Sequence, residues 1–413
     1  MRVLISAIAC DPFGWSETFV GWQAVSAIAK DHDVWVLTDE RYRSSFEKAS
    51  SQGAVPASVT VVYHGTPRPW HQNRSIARLQ SWLEFLDWNK TLLPIAMSLH
   101  QKTQFDVAHH VTYSTWRVPS PLWKLPVPLV WGPIGGAGSM PMRFWQDMSA
   151  SGRVFEASRS LGRYGRFSPA LKQCATNAAW VLASNAETLQ ALSLMRGTLD
   201  GVSVLSPGFF TAEQLARSIP LGTRGPRKEL TIFAGGSIIG SKGYPLALHA
   251  LREAKARGLK FRFTIAGSGP ETKHVSALVE RLELPEVSII DALSGEAYRQ
   301  ALSDSDVYLL PSFRENIGLT MMEAMLQGVV PIVLDRSAPG EIVTEECGVK
   351  IRVQDSRQII SDIADALVSL VEDQTTLRVK REAAVQRIKR DFSEENYRRS
   401  VGEIYERVVR RAL

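Results

Sequence analysis

Short apolar runs alternate with amphipathic stretches along the whole chain. In the first half the strand-like runs are RVLISAIA, DVWVLTD, SVTVVYHG, FDVAHHVTY, PVPLVWGPIGG and AAWVLASN, separated by helical or loop segments. From residue 230 the alternation becomes more regular, with the strand-like runs LTIFAGGS, FRFTIAGSG, VSIIDAL, DVYLLPS and VPIVL. Because strands alternate with helices, the pattern predicts an α/β protein with parallel, doubly wound sheets.

The length of the chain and a break near residue 210 predict two domains. A chain of 413 residues exceeds the roughly 150 residues of an average domain. Pro, Gly and charged residues accumulate in TAEQLARSIPLGTRGPRKE. We predict a Rossmann-like domain over 1–209, a linker over 210–229, a second Rossmann-like domain over 230–390, and a helix over 391–413 that closes the fold by packing toward the first domain. Open α/β sheets bind ligands at their carboxyl edges, so we expect the two sheets to face a common cleft.

Composition narrows the compartment and the class of protein. Of the 413 residues 45% are hydrophobic and 22% charged, which is ordinary for a globular protein. The three cysteines are far apart and predict free thiols in a reducing compartment, so we expect a cytoplasmic protein. No apolar run reaches the ~18 residues of a membrane-spanning helix. Residues 75–99 and 151–167 combine apolar, Trp and Arg residues, so peripheral contact with the inner face of the plasma membrane is an alternative, beside ordinary core helices.

Two acids stand in one of the most apolar segments, LLPSFRENIGLTMMEAMLQGVVPIVL. Glu315 falls in the loop after the strand DVYLLPS, and Glu323 falls inside the helical stretch LTMMEAMLQG. The backbone N–H groups near Ile317, Gly318 and Leu319 would be free donors at the helix N-terminus, which attracts anions such as phosphate. A structural explanation for Glu323 is a favourable helix-dipole position with a nearby Lys or Arg partner.

Two glycine-rich loops follow other strands of the second half. IFAGGSIIGSKGY contains Gly235, Gly236 and Lys242, and IAGSGPE contains Gly267 and Gly269. Neither completes a P-loop or a dinucleotide fingerprint, and a tight turn explains each one alone. Together with the two acids at the same sheet edge, however, the loops predict a pocket for a nucleoside diphosphate sugar.

These segments resemble retaining glycosyltransferases of family 4, which have the GT-B fold of two facing Rossmann-like domains. PSFRENIGLTMMEAMLQGVVPIV follows that family's E-x7-E pattern with Glu315 and Glu323, and the loop ending at Lys242 is similar to its donor-phosphate loop. ACDPFGWSETFVGW and HHVTYSTWRVPSPLWKLPVPLVWGPIGG resemble two signatures of one subgroup. The resemblance therefore implies acceptor binding by the first domain and nucleotide-sugar binding by the second.

The resemblance also implies a role for each matching residue. Glu323 would bind the donor ribose, and Glu315 would bind sugar hydroxyls near the reacting carbon. Lys242 and the N–H groups around Gly318 would stabilise the leaving diphosphate. His109 or His110 would face the sugar across the cleft, since adjacent strand residues point to opposite faces. The further donor-binding positions are Gly235, Gly236, Ser237, Gly267, Gly269, Arg314, Asn316, Ile317 and Leu319, and the acceptor loop is Gly14, Trp15, Ser16 and Glu17.

One position departs from the family pattern. Ser237 stands where family members usually carry Arg, so we expect Arg314 to compensate as a second cation. The expected activity is transfer of a hexose from a UDP- or GDP-sugar to a glycan or lipid-linked acceptor in surface or extracellular polysaccharide biosynthesis. The alternative is a nucleotide-sugar-binding partner of a polysaccharide assembly complex. We expect no nucleic acid partner.

No metal or cofactor is expected. The triplets Asp31-His32-Asp33 and Asp304-Ser305-Asp306 precede strands, where turn aspartates are common. A nucleotide-dependent oxidoreductase is disfavoured because no G-x-G-x-x-G follows the first strand.

Overall fold

The computed structural model describes residues 1–65, 74–161, 168–218, 229–293 and 295–412, without the side chains of 74–79, 81, 82 and 161. Half of the predicted linker, residues 219–228, and part of the 151–167 segment lie outside the described residues. The chain forms two compact units. Unit 1 consists of Met1–Ala137, Tyr164–Pro207 and Glu394–Leu413, and unit 2 consists of Gly138–Arg163 and Gly208–Ser393.

The strands of the described residues form one sheet in each unit. They are β1 (Arg2–Ala7), β2 (Asp33–Asp39), β3 (Val59–His64), β4 (Val107–Thr112), β5 (Leu129–Ile134), β6 (Trp180–Ala183), β7 (Val202–Val204), β8 (Glu229–Gly235), β9 (Lys260–Ala266), β10 (Val287–Ile290), β11 (Val307–Leu310), β12 (Val330–Leu334) and β13 (Val349–Ile351).

Helices connect most of these strands. They are α1 (Glu17–Ile28), α2 (Arg43–Ser51), α3 (Arg74–Thr103), α4 (Ala150–Leu161), α5 (Pro169–Asn177), α6 (Ala186–Arg196), α7 (Ala212–Ala216), α8 (Tyr244–Ala256), α9 (Thr272–Arg281), α10 (Gly295–Ser303), α11 (Leu319–Leu326), α12 (Ser337–Ile342), α13 (Ser356–Glu372), α14 (Gln374–Asp391) and α15 (Glu394–Ala412). None of the described helices is both long enough and apolar enough to cross a bilayer.

Both sheets have the strand order of a dinucleotide-binding fold. Unit 1 has the order β3-β2-β1-β4-β5-β6-β7, and unit 2 has the order β10-β9-β8-β11-β12-β13. The strand pairs in both sheets are parallel. The order reverses between β1 and β4 and between β8 and β11, and ligands bind at such switch points in open α/β sheets. The prediction of two Rossmann-like, parallel-sheet domains is therefore confirmed.

Burial explains why the strands read as continuous apolar runs. Every residue of β4, β5 and β6 is buried, because helices cover both faces of a parallel sheet.

The short strands β7 and β13 were not predicted. Each has only three residues, too few for an apolar run or an alternation to stand out.

The boundary of the first domain differs from the predicted one. Residues 138–163 were assigned to the domain 1–209, but they belong to unit 2. Two contacts within unit 2 account for this placement: the ring of Phe144 lies 4.4 Å from that of Phe313, and Glu156 forms an ion pair with Arg314. The segment thus packs on the loop that carries Glu315.

The chain ends in an amphipathic helix, as its pattern predicts. Tyr397, Val401, Ile404, Tyr405 and Val408 are buried along α15. The helix is part of unit 1, where Arg398 pairs with Asp31 and the hydroxyl of Tyr405 meets His109. Residues far apart in the chain therefore complete the first unit.

Candidate active site

Two glycine loops of unit 2 touch each other at the carboxyl edge of its sheet. The Gly236 N–H donates to the Ala266 carbonyl at 3.0 Å. A Cβ on Gly267 would lie 2.0 Å from the Gly236 oxygen, and one on Gly269 would lie 2.2 Å from the Ile238 oxygen. Glycine is therefore required at 267 and 269 by close backbone approach. The loops after β8 and β9, predicted separately, form one surface.

Gly243 fixes the end of the first loop against β11. Its φ is +69°, and a Cβ there would lie 2.1 Å from the Pro311 carbonyl oxygen. It also precedes α8 directly, so the turn of three residues from Gly240 to Lys242 ends at a fixed point. This contact places Lys242 beside the loop that leaves β11.

Lys242 and Glu315 form an ion pair at the β8–β11 switch point. Their side chains are 13% and 21% exposed, so the pair is largely withdrawn from water. Burial acts most strongly on the pKa of Lys242 and would lower it, but Glu315 and Tyr308 outweigh burial and raise that pKa. The ammonium group is therefore charged at neutral pH, as a phosphate-binding lysine must be.

Two tyrosines that the sequence did not single out support the predicted residues. The hydroxyl of Tyr308 donates to the Gly235 carbonyl at 3.2 Å, accepts from the Gly235 N–H at 3.2 Å, and lies 2.8 Å from Thr320 Oγ1. Tyr308 thus ties the end of β8 to the start of α11. The one sign of this role in the sequence is a tyrosine within the otherwise aliphatic strand VYLL.

Glu323 receives a hydrogen bond from the second tyrosine. The Tyr298 hydroxyl donates to Glu323 Oε2 at 3.0 Å. Burial raises the pKa of Glu323, and the hydrogen bond from Tyr298 opposes the rise. A buried carboxylate needs a hydrogen-bond donor, and here a neutral hydroxyl supplies it, whereas the structural explanation of Glu323 anticipated a Lys or Arg.

The N-terminus of α11 presents backbone donors. Gly318 caps the helix with φ +71°, and Asn316 and Ile317 are half-buried in the loop before it. Within the described part of the chain, no acceptor is hydrogen-bonded to the N–H groups of Ile317, Gly318 or Leu319. Such groups, together with the helix dipole, favour an anion.

Arg314 is held by a carboxylate of α4. Its Nη1 and Nη2 atoms lie 2.6 and 3.0 Å from the two oxygens of Glu156, and the side chains are 7% and 2% exposed. Ser237 is exposed on the glycine loop. The expectation that Arg314 replaces the missing arginine is therefore not supported in this conformation, because its charge is already compensated.

The acceptor loop predicted from the sequence lies at the switch point of unit 1. A carboxylate oxygen of Glu17 accepts the Ser114 N–H at 2.6 Å, which joins the loops after β1 and β4. Burial raises the pKa of Glu17. A Cβ on Gly14 would clash with Thr18, Ser16 has φ +56°, and the side chain of Trp15 is 84% exposed.

Both predicted histidines are buried in β4. His109 Nε2 lies 2.7 Å from the Gly132 carbonyl and Nδ1 lies 2.6 Å from the Tyr405 hydroxyl. His110 Nδ1 lies 3.2 Å from Ser6 Oγ. Burial lowers the pKa of each histidine to about 4. Both nitrogens of His109 are thus used inside unit 1, which gives this residue a structural role.

The aspartate triplets make ion pairs. Asp31 pairs with Arg398, and Asp306 pairs with Arg381 and accepts the Thr231 N–H. Among the residues that the structure describes, no cluster of three or more His, Cys, Asp or Glu side chains is arranged to hold a metal.

Residues 223–389 match the family model of glycosyl transferases group 1. WcaL of Escherichia coli strain K12, named for a role as a glycosyltransferase in colanic acid biosynthesis, is 28% identical over 199 residues, 46% of this chain and 48% of that protein. The lipopolysaccharide core biosynthesis mannosyltransferase LpsB of Rhizobium meliloti strain 1021 is 30% identical over 108 residues, 25% of this chain and 30% of that protein. The matches span half or less of these relatives.

Solved structures resemble the chain over nearly its full length. A glycosyltransferase from Rickettsia africae ESF-5 aligns with a TM-score of 0.63 at 15% identity, covering 99% of this chain and 98% of the other. Anabaena HepE in complex with UDP and glucose aligns with a TM-score of 0.60 at 15% identity, covering 98% and 100%. The fold is thus the GT-B fold of glycosyltransferases, and the similarities together support that superfamily. The matched segment 223–389 contains Lys242, Glu315 and Glu323.

Proposed function

We propose that this chain is a retaining glycosyltransferase of family 4 that transfers a hexose from a UDP- or GDP-sugar to a glycan or lipid-linked sugar. Its setting would be cytoplasmic synthesis of surface or extracellular polysaccharide. The observation that carries the proposal is the Lys242–Glu315 pair at the β8–β11 switch point, inside the segment that matches glycosyl transferases group 1. The proposal assigns no metal and no cofactor.

The donor would occupy the loops of unit 2. Lys242, charged at neutral pH, and the unpaired N–H groups before α11 would bind the diphosphate. Glu323, oriented by Tyr298, would accept hydrogen bonds from the ribose hydroxyls. Glu315 would accept from hydroxyls of the transferred hexose.

The reaction would need no protein nucleophile. As the bond between the anomeric carbon and the diphosphate breaks, negative charge grows on the leaving oxygen, where Lys242 and the N–H groups stabilise it. The acceptor hydroxyl attacks the same face and gives its proton to that phosphate oxygen. In unit 1 we assign His110 to the transferred sugar, because both nitrogens of His109 are hydrogen-bonded within the unit, and we assign the Gly14–Glu17 loop to the acceptor.

The Glu315→Ala variant tests this function. We expect transfer to fall by at least about 100-fold, because a hydrogen-bonding group at the reacting sugar is lost. Circular dichroism should show that the fold is kept, although the melting temperature should fall because Lys242 loses its partner in a largely buried ion pair. Glu346→Ala, at an exposed position, is the control and should keep full activity. Full transfer by Glu315→Ala would refute the site assignment.

A second candidate is a nucleotide-sugar-binding partner without catalysis. It is favoured by exposed Ser237 and by the pairing of Arg314 with Glu156, which together leave the diphosphate fewer cations than the family pattern supplies. Calorimetry with a panel of nucleotide sugars, followed by transfer assays with sugar acceptors, separates the two. Binding without turnover of any acceptor would support the partner.

A further inference from the structure

Unit 1 contains a cavity that the donor site does not explain. Its volume is about 270 Å³, close to the lower end of the roughly 300–1,000 Å³ common for small-molecule sites. Its described lining residues come from the carboxyl ends of β2 and β3, the residues that follow them, and α3. The described residues that line it are Asp39, Arg41, His64, Gly65, Glu84, Asp87, Trp88 and Thr91.

Three charged side chains form a fixed row on its wall. Arg41 lies between Asp39 and Glu84, with Nε 2.9 Å from Asp39 and Nη2 2.6 Å from Glu84. The three side chains are 15%, 6% and 8% exposed. Charged groups withdrawn from water in this way are held rigidly by their partners, and they offer directional hydrogen bonds to a polar ligand.

Helix α3, which carries Glu84, also contributes an aromatic side chain to the cavity. Trp88 is 3% exposed, and its Cδ1, the atom next to the indole N–H, would lie 3.2 Å from a Cβ on Gly65. Within the described residues this N–H has no hydrogen-bond acceptor, although buried indole N–H groups normally have one. A ligand hydroxyl at the Gly65 side of the cavity would supply the acceptor.

The charge of the cavity selects among polar ligands. Among the described lining residues, Asp39 and Glu84 contribute two negative charges beside the one positive charge of Arg41, and Asp87 is paired with Lys90 at 3.3 Å. The remaining titratable group, His64, has a pKa lowered by burial and is neutral at pH 7. Phosphate, carboxylate and sulfate groups are therefore disfavoured, whereas vicinal hydroxyls can donate to the carboxylates and accept from Arg41.

We propose that this cavity binds a hexose ring without phosphate or carboxylate groups, as the acceptor-sugar subsite of unit 1. The size fits one ring, the acid–Arg–acid row suits vicinal hydroxyls, and Trp88 provides an apolar face beside them. Calling the hexose an acceptor rests on the proposed transferase function, but its binding to this cavity does not.

Saturation-transfer NMR on the full chain, without nucleotide, tests the binding. The probes are the methyl α-glycosides of glucose, galactose and mannose, with glucose 6-phosphate as the anionic comparison. We expect at least one methyl hexoside to bind and the phosphate to bind at least about tenfold more weakly. Glu84→Gln should weaken hexoside binding about tenfold, because a charge-assisted hydrogen bond is lost. The control Glu40→Gln, one residue before Arg41 but outside the cavity, should not change it.

Two further variants separate this cavity from the donor site. Trp88→Phe keeps most of the apolar contact and removes the N–H, so it should also weaken binding, and it decides the outcome if Glu84→Gln does not fold. Glu315→Ala should leave hexoside binding unchanged. The proposal is overturned if no hexoside binds, if Glu84→Gln and Trp88→Phe bind as the wild type does, or if only Glu315→Ala abolishes binding. Failure of nucleotide binding would instead contradict the proposed function alone.

Discussion

Acid should destabilise unit 1 through its two buried histidines. In His109, Nε2 faces the Gly132 carbonyl, which can only accept, so this nitrogen carries the proton and Nδ1 accepts from Tyr405. The neutral ring therefore satisfies both partners. A second proton would reverse the bond with Tyr405 and place a charge in a fully buried strand, which is why the pKa falls to about 4.

The size of the effect follows from linkage. The folded protein protonates His109 only near pH 4, and the unfolded chain does so near 6.5. The unfolded state thus binds more protons between these values, and stability is lost as the pH falls through this window. A shift from 6.5 to 4 corresponds to about 3 kcal/mol at most for each histidine, and to a slope of about 1.2 kcal/mol per pH unit near pH 5.2.

Urea unfolding followed by tryptophan emission measures this slope. Apart from Trp145, the tryptophans belong to the segments of unit 1, so the signal reports on that unit. Carboxylates and other histidines titrate in the same range, so the informative quantity is the difference between the wild type and His109→Gln. The variant should be less stable than the wild type at pH 7.5. Near pH 5.2, however, its free energy of unfolding should fall less steeply with acidification, by about 1.2 kcal/mol per pH unit. Equal slopes for both proteins would refute the assignment of a neutral, buried His109.

Two further predictions concern unit 2. Glu156→Gln leaves the buried Arg314 guanidinium without its carboxylate and should destabilise unit 2 by about 3 kcal/mol, measured as faster hydrogen exchange in β11 and α11. The control Glu296→Gln, at an exposed pair with Arg299, should cost under about 0.5 kcal/mol. Similar effects of the two variants would contradict the reasoning. Gly243→Ala should lower the free energy of unfolding, measured by thermal unfolding, by at least about 2 kcal/mol more than Gly258→Ala does. Both glycines have a positive φ, but only a Cβ at 243 would meet a backbone oxygen. Equal losses would show that the contact with Pro311 is unimportant.

Most of the fold could be predicted because its signals are local. Buried parallel strands produce apolar runs, and helices between them produce the alternation that indicates doubly wound sheets. The placement of residues 138–163 could not be predicted, since it depends on Phe144 meeting Phe313 and Glu156 meeting Arg314, pairs separated by more than 150 residues. No local break marks such a crossing between units.

The candidate site was predictable to a similar degree. Glycines and carboxylates after strands indicate loops at a sheet edge, and the structure of unit 2 brings Lys242, Glu315 and the glycine loops together there. Tyr298 and Tyr308 were missed because a tyrosine in a helix or strand is compatible with ordinary packing. Their hydroxyl partners become visible only when the elements are assembled.

The pairing of Lys242 with Glu315 also bears on the proposed role of the glycine loop that contains Ser237. The ion pair neutralises the lysine before any donor arrives, so a diphosphate would have to compete with Glu315 for the ammonium group. If Glu315 binds the hexose as proposed, the hexose would offer it hydroxyl donors in exchange, and this exchange would couple sugar binding to phosphate binding. A nucleotide without its sugar should therefore gain less from Lys242 than the complete donor does. Because Ser237 brings no positive charge to this loop, selectivity for the intact nucleotide sugar would depend on that coupling.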